Sequence, residues 1–265
     1  MKLNPILPLA LASAMTLIPA FAHDNECNVQ LHGALQYHQG LLTVDMENGA
    51  VMAINSDHEL SIDGDTISLS GAQQQWVDEY YDNIDKAIPM TLEIATEGLA
   101  VANVAVSEVF GELLGADNSL TGDFDQMFTT LEEKLDSSFY DEAGNIHIDS
   151  TQFEGDDWFD ESWEAEFEQQ VESLVSQSMG QILIAVGTQM LWNDGDMGDF
   201  EERMERFGET IETRIESEAE ALEEKAHKLC DVLKEANYAE HKMQTTIPGL
   251  DELNLLDMRG DNMKM

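Results

Sequence analysis

Basic residues are scarce in this chain. Its 265 residues hold 12 Lys and Arg against 54 Asp and Glu, a formal charge of −42 with a pI near 4.1. No basic groove is available to release counterions from a phosphate backbone, which excludes a nucleic-acid partner. The same imbalance opposes docking on an anionic lipid surface. Catalytic signatures are missing as well: there is no G-x-S-x-G elbow, no H-E-x-x-H, no Gly-rich phosphate loop and no G-x-G-x-x-G. A carboxylate pair for glycoside hydrolysis is not singled out among so many acids. The sequence therefore points away from an enzyme and calls for no cofactor.

Long apolar runs are also lacking after the N-terminus. Met179 to Trp192 is the best later segment, and it carries Gln181, Thr188 and Gln189 within 14 residues, short of the ~18 that a transmembrane helix needs. The first 22 residues are different. Lys2, the apolar run from Ile6 to Ile18, and Ala20-Phe21-Ala22 have the layout of a secretory signal peptide. Cleavage between Ala22 and His23 is expected, leaving 243 residues with no transmembrane segment, soluble in the periplasm.

Only two cysteines occur, Cys27 and Cys230. In an oxidising compartment an even pair reads most simply as a disulfide. It would close a loop of 204 residues, for which the chain-entropy account gives about 5 kcal/mol as an upper figure. The competing reading places Cys230 with His227 in a metal pair, but two ligands without two more make a poor zinc site.

What is present divides the chain in three. Between Val29 and Leu69 the hydrophobic period is two: Leu42, Val44 and Met46 alternate with Leu41, Thr43 and Asp45, and Asn48-Gly49 and Asp63-Gly64 supply hairpin turns. About four antiparallel strands are expected over 23–70, too few to bury their own face. From Gly71 the period becomes helical. One helix is expected over Ala72–Ala87, stopping before Pro89, and a second over Met90–Leu114. The stretch holding Phe124, Phe128, Leu131 and Leu135 is amphipathic, and Gly144–Asp149 is a short strand or a loop. A helix from about Asp160 to Trp192 precedes the clearest element, Phe200–Tyr238, with apolar positions from Phe200 to Ala236 at spacings of three and four. That last helix would reach roughly 58 Å and is expected to project or to pair with the helix before it. Residues 243–265 read as a flexible tail with a Leu250–Leu253–Leu256 patch. The fold class is α+β, a small N-terminal sheet on a mostly helical body spanning 71–242.

Three constellations each have a plain structural explanation beside a functional one. The acidic helix faces are those of a solvated, self-repelling surface. Asp194, Asp196 and Asp199 sit in an N-D-G-D-M-G-D stretch, but Gly198 and Asp199 stand at EF-hand loop positions five and six in the wrong order. A helix cap at Asp199 accounts for the same residues. His23, once N-terminal, would chelate copper only with a second histidine such as His32, His38 or His58. His147 is expected in a loop, and His227 and His241 on helix surfaces.

Several passages together resemble the YggN-like family of uncharacterised gammaproteobacterial periplasmic proteins. They are Cys27-Asn28-Val29-Gln30-Leu31, Asp63-Gly64 through Ile67 to Gln73, and Tyr80-Tyr81 with Ile88-Pro89, behind the apparent signal peptide. The resemblance covers nearly the whole mature chain. It implies export and a domain of unknown function, and brings no catalytic residues. Three functional readings follow from the sequence. The first is a non-enzymatic binding or accessory protein of the cell envelope, with an envelope protein or an apolar ligand as its partner. The others are a divalent-metal-binding protein or metal-dependent enzyme using His23 or the Asp194–Asp199 stretch, and a helical structural spacer.

Overall fold

A computed structural model describes residues 29–115, 118–141, 143, 145–150, 161–192 and 198–258, with the side chains of 161–166, 185–186 and 188–203 excepted. The period-two segment forms β1 (Val29–Leu31), β2 (Leu35–His38), β3 (Leu41–Asp45), β4 (Val51–Ile54), β5 (Leu60–Ile62) and β6 (Asp65–Thr66). Two hairpins turn on two residues each. Asp63-Gly64 has φ values of 50° and 85°, and Gln39-Gly40 has 50° and 80°, the left-handed pairs that match strand twist. Five of these strands and β7 (His147–Asp149) make one antiparallel sheet in the order β6-β5-β4-β3-β2-β7. The stretch expected as a short strand or a loop thus supplies a strand at its end, with Tyr37 opposite Ile148 and His38 opposite His147. His147 therefore lies on a sheet edge and not in a loop.

One sheet face is apolar. Leu42, Met52, Ile54 and Leu60 are at most 1% exposed, and they share a core with Val77, Tyr80, Ile84 and Ile88. Those last four belong to α1 (Gly71–Leu114), which begins at a capping box between Ser70 and Gln73. The helix does not stop before Pro89; it runs through it as one 44-residue element. Buried Ile84, Ala87 and Ile88 on one side of the proline and Leu92 on the other hold the backbone helical against a penalty of about 3 kcal/mol.

The helices run alternately outward and back. α1 leaves the sheet. α2 (Ser119–Phe139), capped by Asn118, returns along it, with Phe110 stacked on Phe124 at 4.9 Å, and delivers β7. α3 (Glu161–Trp192) goes out again, its Gln181 reaching Ser119 at the start of α2. α4 (Gly198–Thr246) comes back over 49 residues, eight beyond the expected end at Tyr238. Its partner is α1, and not the preceding helix as expected. Along this antiparallel seam Arg214 pairs with Glu108, Lys225 with Glu93 (2.6 Å) and Glu97, and Tyr238 packs edge-on against Trp76. Two cations of α4 thus meet acids of α1, while the buried Ala236, Ala239 and Met243 of α4 share the core with Val77 and Tyr80 of α1.

The expected flexible tail is corrected for its described part. Ile247, Leu250, Leu253, Leu255 and Leu256 are at most 3% exposed, and β8 (Leu256–Met258) pairs antiparallel with β1. The Leu250–Leu253–Leu256 patch covers the core between α4 and the first strand, because apolar side chains at this density are more stable buried.

Candidate functional site: an apolar surface on the helical arm

Beyond the sheet, α1–α4 form an arm whose apolar residues are incompletely covered. From Ile94 outward α1 is rich in apolar residues, with Ala95, Leu99, Ala102, Val106 and Val109 at helical spacing and Glu97, Glu108 and Glu112 among them. By length and composition the helix is apolar enough to cross a membrane, with a window of mean hydropathy 1.2, and none of that window is buried. It contacts α4, α2 and α3, yet Val104 is 38% exposed. A hollow of about 180 Å³ opens between Ala100, Val101, Val104 and Ala105 of α1 and Ile215 of α4, rimmed by Glu108, Arg214 and Glu218. It is smaller than the usual 300–1,000 Å³ of a small-molecule site.

On α3 the contrast is sharper. Leu174 and Ser178 are buried, at 4% and 6% exposure. Val175, Met179 and Leu183, at a spacing of four, are 47%, 64% and 73% exposed, and Ile184 beside them is 67% exposed. Among the described residues, nothing beyond the helix's own backbone and the adjacent residues lies within 4 Å of where a Cβ on Gly180 or Gly187 would stand. From Ser173 to Trp192 the sequence has no charged residue, while five glutamates crowd the first twelve residues of the same helix. An apolar outer face on a helix of so acidic a chain is what polar surroundings disfavour most.

The titratable clusters lie elsewhere, on the sheet. His58 bridges two carboxylates of α1, with Nδ1 3.1 Å from Asp78 and Nε2 3.4 Å from Asp82, and its ring tilts over Tyr81. The Tyr37 hydroxyl donates to Asp85 and is pushed far above its ordinary value by burial and that carboxylate. His38 lies 3.2 Å from Asp141 and edge-on to His147. Asp141 is held well below the usual carboxylate range by the side chain and backbone N–H of Asn145. Each group ties a strand or turn to the element beside it. The partners of His58, Tyr37 and His38 lie 20 to 109 residues away along the chain, beyond what spacing reveals.

Of the residues singled out in the sequence, Ala22, His23, Cys27, Asp194 and Asp196 lie outside the described residues. Asp199 is the second residue of α4, its side chain outside the description. Cys230 is 4% exposed on the inner side of α4. His227 lies 3.9 Å from Glu223 one turn before it and is exposed. His32 faces Asp257 across the β1–β8 ribbon at 3.5 Å. Among the described residues no three His, Cys, Asp or Glu side chains are grouped so as to hold a metal ion.

A family model described as a protein of unknown function (DUF2884) matches residues 27–256. No curated protein and no solved structure matches the chain.

Proposed function

We propose, from the premise that the chain belongs to the DUF2884 family of proteins of unknown function, that it is an exported, non-enzymatic binding or accessory protein of the cell envelope. The observation that carries this reading is the charge-free outer face of α3, with Val175, Met179 and Leu183 in water. A helical spacer needs only charged faces, whereas an apolar stripe at a spacing of four is the counterpart of an amphipathic helix laid along it. The occupant we infer is a helix of a partner protein, apolar on one side and cationic at its edges. Glu168 and Glu172 precede the stripe on α3 and are exposed, and the chain's charge of −42 attracts cations to its surroundings. The exported location further favours a Cys27–Cys230 disulfide, which would tie β1 to the middle of α4.

The test is fluorescence anisotropy with a synthetic cationic amphipathic helix and a scrambled peptide of the same composition. The expected result is micromolar binding of the helix alone, weakened at least tenfold by Leu183→Lys or Met179→Lys in a protein of unchanged circular dichroism. Equal binding of the scrambled peptide, or binding indifferent to both variants, would sink the proposal. So would two other outcomes relieved by Leu183→Lys: concentration-dependent self-association, which assigns the face to a second copy, and uptake on neutral phosphatidylcholine vesicles, which assigns it to lipid.

A further inference from the structure

Among the described residues Glu240 is the one carboxylate whose side chain is fully buried, at 1% exposure on the inner stripe of α4. It sits where three elements meet. Its Oε1 accepts hydrogen bonds from the backbone N–H of Leu255 (2.9 Å) and Leu256 (3.2 Å), the residues that lead into β8. From the other side comes Tyr80 of α1, fully buried. Tyr80 Oη and Glu240 Oε2 have no aligned hydrogen bond, although the two side chains act on one another. Among the described residues no ion pair involves Glu240. Buried oxygens without partners are costly, and an unpaired buried charge is costlier still.

We propose that Glu240 and Tyr80 form a proton-operated latch on the C-terminal segment 247–258. With a proton on Oε2, the neutral carboxyl donates to Tyr80 Oη, keeps Oε1 for the two N–H groups, and leaves no charge in the core. Without it, a carboxylate faces two N–H groups and a hydroxyl with no cation to balance it. Opening the segment then admits water to the charge. The apolar anchors Leu250, Leu253 and Leu255 keep the closed form dominant throughout, so the proton changes how often the segment opens. Opening would uncover those leucines and the β1 edge beside them.

The environment supports this placement. Burial pushes Glu240 up from 4.5 to about 7, outweighing the hydrogen bonds that favour its charge. Burial and the neighbouring carboxylate push the Tyr80 hydroxyl well above its ordinary value, so Tyr80 stays neutral. The other titratable pair on the moving segment is His32–Asp257, at the ribbon surface. A His32 variant separates that pair from Glu240 in the test.

The test is amide exchange of the full chain, read as protection factors corrected for intrinsic rates, at pH 5 to 8. A carboxyl that titrates at about 7 when buried and at 4.5 when open changes the opening equilibrium on the order of a hundredfold over this range. Protection at Leu255 and Leu256 is expected to fall by that factor, while Val44 and Met52 in the sheet change much less. Glu240→Gln, which keeps the acceptor, should abolish the dependence, and His32→Gln should leave it. Tyr80→Phe, which removes a donor to the charged form, should move the midpoint to higher pH. In the unaltered protein the carbon-13 carboxyl signal of Glu240 should titrate near neutrality. A midpoint near 4.5, equal loss of protection in the sheet, or a dependence that survives Glu240→Gln and vanishes with His32→Gln would each overturn the latch.

Discussion

At the scale of single residues, the chain's acids differ by surroundings more than by number. Glu240 holds its proton up to about 7 in the folded protein and up to about 4.5 when unfolded. Between those values the folded state binds more protons, so raising the pH favours unfolding. Taken alone, Glu240 contributes about 3 kcal/mol that is fully present below pH 4.5 and lost as pH rises through 7. Asp141 and Glu224, held low by Asn145 and by Lys228, act in the opposite sense, losing their contribution as the pH falls below the ordinary carboxylate range. Urea unfolding from pH 4 to 9 should therefore find maximum stability near pH 5, with Glu240→Gln flattening the alkaline side. A second residue-scale outcome concerns Gly33, where φ is 79° and a Cβ would stand 2.8 Å from the Asp45 carbonyl oxygen. Gly33→Ala should lower stability by about 1–3 kcal/mol in the same measurement.

At the scale of elements, α1 carries two conflicting instructions. Pro89 withholds an N–H from the Asp85 carbonyl, yet packing on both sides keeps the helix going. Pro89 is exposed, so Pro89→Ala restores the hydrogen bond without removing core volume. It should raise the unfolding free energy by about 1–3 kcal/mol. The α1–α4 seam is held by exposed ion pairs whose contribution is small. Lys225→Met should change stability by less than about 1 kcal/mol at moderate salt. Any larger loss in a denaturant titration would mean that the Glu93–Lys225–Glu97 group acts as more than a surface pair.

Seen whole, the molecule is a sheet-based head with a long arm. α1 reaches roughly 66 Å, and small-angle scattering should return a radius of gyration well above the ~18 Å of a compact chain of this length. A charge of −42 repels itself, and the repulsion is screened over about 10 Å at 0.1 M salt. Raising sodium chloride from 20 to 300 mM should thus raise the melting temperature. Reduction should lower it if the proposed Cys27–Cys230 bond restrains the unfolded chain, with alkylation of both cysteines only after reduction as the direct check.

What the sequence determined alone was local. The alternation around Leu42 and Val44 specified strands, the turn at Asp63-Gly64 specified a hairpin, and the three-and-four spacing to Ala236 specified α4, because side-chain direction follows backbone period. The exposed stripe of α3 was half legible: a charge-free segment can be read, but which neighbours cover it cannot. Tertiary structure decided the rest. β7 joins β2 across some 110 residues, and α4 chose α1 over α3. Glu240, one acid among 54, follows the spacing of Ala236 and Met243 onto the inner stripe. Spacing shows that a residue faces inward; only the assembled core fixes what surrounds it, and desolvation by those surroundings sets the charge it carries.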